Sequence, residues 1–180
     1  MDAHHRAAHI RLVAFDIDGV MTDGRLYFLP DGQEIKAFNT LDGHGLKALM
    51  NAKIEVAIIT GRTSDSVVAR ARNLGISELH QGVEDKLSLF NTLRESRGLS
   101  WAECAFMGDD LPDLPCMLSC GFSCAPANAY PLVQQKAVWV TRSRGGEGAV
   151  RECCDFILDA QSKLEDSLAP YSARHPESQP

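Results

Sequence analysis

The chain lacks any run of 18 apolar residues, so nothing in it has the length of a membrane-spanning helix. Its first residues, Met1-Asp2-Ala3-His4-His5-Arg6, lack the apolar middle of a secretory signal. No two of its six cysteines form a CxxC pair and no paired framework is visible, which argues against a disulfide-stapled secreted fold. Free thiols in a reducing cytosol are expected. Cys116, Cys120 and Cys124 read either as small buried hydrophobes, the commoner use, or as a metal cluster. Positive charge is also short: 18 Lys and Arg against 24 Asp and Glu give a net charge of −6, so nothing suggests a nucleic-acid partner. A phosphate ligand would therefore need local cations and a metal. Internal repeats are absent, and 180 residues suit one core.

What is present is an alternation of apolar runs and helical patterns. Arg11 to Phe15, Val56 to Ile59 and Cys104 to Met107 read as buried parallel strands. Helical spacing follows at Thr63 to Leu74 and at Pro112 to Leu118. Shorter apolar segments near Leu79, Phe122 and Val138 add candidate strands. This pattern predicts an α/β fold, a doubly wound parallel sheet. Ligands of such sheets bind just beyond the carboxyl ends of the strands. Leu26 to Phe38 interrupts the alternation with two apolar pieces around Pro30-Asp31-Gly32, a small β-hairpin insertion. Ser100 to Glu103 fits a capping box or a turn. Residues 1–9 read as a flexible extension carrying His4, His5 and His9. Residues 10–165 read as a single domain with hairpin 24–38, and 166–180 as a flexible tail.

The strand ends carry the chemistry. Asp16-Ile17-Asp18-Gly19-Val20 follows the first strand, and alternate residues of an extended segment share a side. Asp16 and Asp18 then face one locus, where like charges repel unless a cation lies between them. A solvated Asp-Gly turn is the plain reading. The functional one is a magnesium site with one acid free as a nucleophile. Gly108-Asp109-Asp110-Leu111-Pro112-Asp113 offers Asp109 as a further metal ligand, with Asp110 and Asp113 as water-mediated ligands or helix caps. Thr60 closes a strand before Gly61, where hydroxyl and backbone amides suit a phosphate oxygen. Lys86 opens a helix against the helix dipole, which a bound anion would explain.

In this order, DxDGV, strand-terminal Thr60, Lys86 and GDDxxD resemble the haloacid dehalogenase superfamily of phosphotransferases over about residues 10–158. The resemblance implies that Asp16 attacks phosphorus, while Asp18 protonates the leaving oxygen and later activates water. It implies that Thr60 and Lys86 hold the phosphoryl group. It also implies that Asp16, Asp109 and the Asp18 carbonyl bind Mg2+. Asp18 to Gly61 spans 43 positions and Thr60 to Lys86 encloses 25 residues, so neither gap holds a cap domain. Such an open site is readily completed by a neighbouring subunit, with the hairpin as the apolar contact.

Further segments are similar to one branch, the 3-deoxy-D-manno-octulosonate 8-phosphate phosphatases: Asp18 to Gly24, Lys36 to Asn39, Asp42 to Gly45, Ile58 to Arg62, Gln81-Gly82, and Gly145 to Glu152. That similarity implies a homotetramer with shared active sites. It also implies a sugar-acid phosphate substrate in lipopolysaccharide biosynthesis. Arg62 and Arg70, eight residues and ~12 Å apart on one helix face, are candidates for the substrate carboxylate. Related nonulosonate 9-phosphate phosphatases are expected to carry glutamate at the Arg62 position. His44 either lines the site or sits at a helix start. The tail lacks the short glycine-rich form of the family. Two readings of other kinds stay open beside a nonulosonate phosphatase: a signalling receiver, disfavoured by motif order, and a non-catalytic tetramerising module.

Overall fold

The computed structural model describes residues 2–172. Six strands form one parallel sheet: β1 (Leu12–Phe15), β4 (Glu55–Ile59), β5 (Glu78–His80), β6 (Cys104–Met107), β7 (Phe122–Ala125) and β8 (Trp139–Val140), ordered β5-β4-β1-β6-β7-β8. The segments expected near Leu79, Phe122 and Val138 are β5, β7 and β8. A separate two-stranded antiparallel hairpin pairs β2 (Tyr27–Phe28) with β3 (Glu34–Ile35).

Burial on both faces explains the uninterrupted apolar runs. In β1, Val13 and Phe15 point into one core with α1 (Ala3–Ala7), α2 (Thr40–Asn51), α3 (Asp65–Leu74) and α7 (Ala149–Ala160). Leu12 and Ala14 point into the other, with α4 (Lys86–Ser96), α5 (Leu114–Ser119) and α6 (Pro131–Lys136). Phe90 anchors the second core edge-on to Phe106, ring centroids 5.5 Å apart. On the first side Phe156 stacks on Trp139 at 4.3 Å.

Three expectations change. Residues 3–7 are not a loose extension but the helix α1, capped by Asp2 and burying Ala7. Part of the expected tail is helix α8 (Leu164–Ser172); the remainder, 173–180, lies outside the described residues. The helix expected from Pro112 begins as a 3-10 turn, Leu111–Asp113, before α5. There Asp110 and Asp113 make the reciprocal capping box that such a turn needs. Another capping box, Ser100 with Glu103, starts a 3-10 turn leading into β6. All six cysteines are free and buried in the cores, so Cys116, Cys120 and Cys124 serve as small hydrophobes. Among the described residues no helix is long and apolar enough to cross a membrane.

Register fixes where the chemistry lies. Phe15 is level with Ile58 on one side and Met107 on the other. The chain therefore leaves three adjacent strands at one height, delivering Asp16, Thr60 and Asp109 to one edge of the sheet.

Candidate active site

Asp16, Asp18, Thr60, Gly61, Arg62, Lys86 and Asp109 line one open cavity of about 550 Å³ at that edge, with Asp110 and Asp113. Asp16 is bound into the sheet by its own amide, which donates to the Met107 carbonyl at 3.0 Å. After Ile17 the chain turns back on itself. Thr22 secures the turn: its Oγ1 donates to the Ile17 carbonyl and accepts the amides of Gly19 and Gly24, each at 3.3 Å. Gly19 has φ +88°, and a Cβ there would stand 2.0 Å from Asp109 Oδ2. A side chain at this position would evict the Asp109 carboxylate, so the glycine is what lets the two acidic loops meet. Gly145 does the same on the other flank, where a Cβ would lie 1.8 Å from the Gly19 carbonyl oxygen. Asn128 Oδ1 accepts its amide at 2.7 Å.

One carboxylate oxygen from each of Asp16, Asp109 and Asp113 lies within 4.8 Å of the others. Asp113 is spent on the protein itself. Its Oδ1 accepts Lys86 Nζ at 2.7 Å, and its Oδ2 accepts the amides of Asp109 and Asp110 at 3.0 and 3.2 Å. It fixes the loop that presents Asp109 and steadies the lysine. Asp113 thus braces the loop from within, and Asp110 Oδ1 accepts the Leu111 amide. Lys86 Nζ also reaches Asp16 Oδ1 at 2.9 Å, joining Asp16 and Asp113 by one ammonium group.

One buried ammonium group does not balance three carboxylates. Burial pushes the Asp109 carboxyl up to about 8, with the charges of Asp113 and Asp16 adding to it. Burial, then Asp113, raises Asp16 to about 6 against the pull of Lys86. Burial disfavours the Lys86 ammonium, but Asp16 and Asp113 outweigh it and hold its pKa above the usual lysine value. Asp109 Oδ1 is buried without a hydrogen-bond donor, and Asp16 Oδ1 has only the Lys86 ammonium group, at 2.9 Å. A pair of donor-poor buried carboxylate oxygens fits a hard divalent cation of the magnesium type.

Thr60 is buried, with its Oγ1 facing the following amide of Arg62 at 3.4 Å. Gly61 continues the same turn along the cavity wall. Arg62 lies before α3, in the loop rather than on the helix. Its Nη2 pairs with Glu34 Oε2 at 2.5 Å and its Nε lies 3.9 Å from Asp18 Oδ2. Arg70 is not brought to the cavity. Its Nη2 donates to the Asn39 carbonyl at 2.9 Å, and its guanidinium covers the Phe38 ring at 5.8 Å. The expected single helix face fails because α3 starts at Asp65, after Arg62. His44 also points elsewhere, against Tyr171 in a cavity between α2 and α8. The residues that the sequence did not single out are Glu34 and Lys36. Both lie on the second arm of the hairpin, and both turn inward to Asp18 and Arg62.

A parallel α/β sheet that presents an acid on the central strand, a threonine, a lysine and a second acidic loop defines a hydrolase of the haloacid dehalogenase type. A sequence model of haloacid dehalogenase-like hydrolases matches residues 75–152. The chain is 49% identical to the 3-deoxy-D-manno-octulosonate 8-phosphate phosphatase KdsC of Yersinia pestis, over 91% of this chain and 88% of that one. A probable YrbI family phosphatase from Pseudomonas syringae superposes with a TM-score of 0.94 at 48% identity, covering 97% of this chain and 99% of that one. The Moraxella catarrhalis 3-deoxy-D-manno-octulosonate 8-phosphate phosphatase, solved with a magnesium ion, a phosphate ion and a KDO molecule, gives 0.92 at 41% identity, covering 94% and 97%. The chain belongs to the haloacid dehalogenase-like hydrolases and, within them, to the family of the 3-deoxy-D-manno-octulosonate 8-phosphate phosphatases.

Proposed function

We propose that this protein is a Mg2+-dependent phosphatase that hydrolyses 3-deoxy-D-manno-octulosonate 8-phosphate to the free acid sugar and phosphate. The observation that carries the reading is the convergence of the Asp16 and Asp109 carboxylates with Lys86 at the ends of adjacent strands, with Asp109 Oδ1 buried there without a donor. Asp16, Asp109 and the Asp18 main-chain carbonyl would hold Mg2+, which when bound neutralises charge on Asp16 and on the transferring phosphoryl group.

Asp16 acts as nucleophile. Its oxygen bonds to phosphorus as the bond from phosphorus to the sugar oxygen breaks, and that oxygen takes a proton from the Asp18 carboxyl. The Asp18 carboxylate then takes a proton from water, whose oxygen bonds to phosphorus and releases the Asp16 carboxylate with inorganic phosphate. Thr60 and the Gly61 turn hold the phosphoryl oxygens, and Lys86 offsets the developing charge. Arg62, alone of the two candidate arginines in reach of the cavity, contacts the sugar carboxylate. The exposed apolar hairpin, Tyr27, Phe28 and Ile35 among its residues, supports a homotetramer in which neighbours complete each open site. The setting is a cytoplasmic step of lipopolysaccharide biosynthesis.

A panel of sugar-acid and neutral sugar phosphates ranked by kcat/KM tests the assignment. The 8-phosphate octulosonate is expected to lead a 9-phosphate nonulosonate by at least about 10-fold, the discrimination one mismatched contact provides. Arg62→Ala should raise KM for the acid sugars alone. A flat ranking would remove the substrate.

A further inference from the structure

The hairpin is built inside out. Its apolar side chains Tyr27, Phe28, Leu29 and Ile35 are exposed, while the Lys36 side chain is 2% exposed. An ammonium group is a costly thing to bury, and a hairpin serving only as an apolar contact would keep such a residue in water. Lys36 Nζ donates to Asp18 Oδ1 and pairs with Glu34 Oε1 at 2.6 Å. Glu34 Oε2 in turn meets Arg62 Nη2, and Arg62 Nε approaches Asp18 Oδ2. The four groups close a ring of alternating charge, acid to base to acid to base. Lys36 and then Arg62 hold the Glu34 carboxyl below the usual carboxylate range.

The ring treats the two oxygens of Asp18 differently. Oδ1 is held by Lys36. Oδ2 accepts no hydrogen bond and is the oxygen left free to pass a proton. Among the described residues Lys36 makes the one hydrogen bond to this carboxylate, while Arg62 Nε stands off at 3.9 Å. From this geometry we infer that Lys36 is a positioning residue for the proton-transferring Asp18, itself held in place by Glu34. The inference rests on the proposed role of Asp18 and not on the identity of the sugar.

The chemistry supplies a readout that a merely structural lysine would not move. An alkoxide leaving group needs a proton from Asp18, whereas a p-nitrophenolate leaves without one. In Lys36→Met, the first-turnover rate of leaving-group release from an alkyl phosphate, whether the acid-sugar phosphate or a simple alkyl ester, is expected to fall about 100-fold, the cost of a catalytic group misplaced by about 1 Å. First-turnover release of p-nitrophenolate from p-nitrophenyl phosphate, which precedes the water attack that Asp18 also serves, is expected to stay within about 3-fold of the unmodified protein. Lys36→Arg should recover much of the loss. Glu34→Gln, which keeps the lysine and loosens its anchor, should show the same asymmetry at smaller size, and it carries the test if Lys36→Met does not fold. Asp18→Asn measured in parallel sets the full asymmetry of a lost proton carrier. Equal losses on both ester types in Lys36→Met and Glu34→Gln, with Asp18→Asn asymmetric, would overturn the positioning role alone. An Asp18→Asn protein without asymmetry would remove the role of Asp18 and the inference with it.

Discussion

Asp16 and Asp109 are under electrostatic tension, because three carboxylates, Asp16 and Asp113 buried and Asp109 half-buried, share one ammonium group. Their carboxyls lie at about 6 and about 8, raised first by burial, so the metal-free folded state holds protons more tightly than the unfolded chain. The sign follows. The stability contribution of these groups is complete below about pH 4, where both states are protonated, and is lost as pH rises through about 8. A cation needs the deprotonated oxygens, so its binding releases protons and tightens as pH rises. At a Mg2+ concentration near 100 times Kd, stabilisation of about 2.7 kcal/mol is expected at pH 8, and clearly less at pH 6 with the same Mg2+. Thermal melts with and without Mg2+ measure this. Asp109→Asn should abolish both the increment and its pH dependence. An increment independent of pH would show that the cation does not bind these oxygens.

At the scale of elements, sequence legibility divides by the kind of signal. Strands β1 and β6 were legible almost to the residue, because a parallel strand buried on both faces reads as an unbroken apolar run ending at an acid. Asp16, Thr60, Lys86 and Asp109 were legible for the same reason, each sitting at the end of such a run or at a helix start. The hairpin was found, but the inward course of its charged side chains was not. Its strands are only two residues each, and periodicity could not tell that Lys36 turns inward while Phe28 and Ile35 turn out. Arg70 failed because the loop Gly61 to Ser64 delays the start of α3, which no helical spacing reveals. Helix α1 escaped notice since five residues are too few for a periodic signal. The hairpin reading has its own test. If it holds four chains together, Phe28→Glu should turn a tetramer into a monomer in light scattering. It should also lower kcat/KM at least about 10-fold if the neighbours complete the site, since a charge buried in an apolar contact is not tolerated. An unchanged mass would detach the hairpin from assembly.

For the whole molecule, function follows from strand order. With β1 central and β4 and β6 on either side, three loops must emerge together, and the fold cannot be made without gathering Asp16, Thr60 and Asp109. Gly19 and Gly145 then allow those loops to close to contact distance. What strand order does not reveal is which acid is esterified. Rapid quenching during turnover, borohydride reduction and peptide mass spectrometry answer that. The account predicts a reduced aspartyl adduct at Asp16 that forms only with Mg2+ and disappears in Asp16→Asn. Substrate turnover with no adduct at Asp16, or turnover that survives complete chelation of divalent metal, would contradict it.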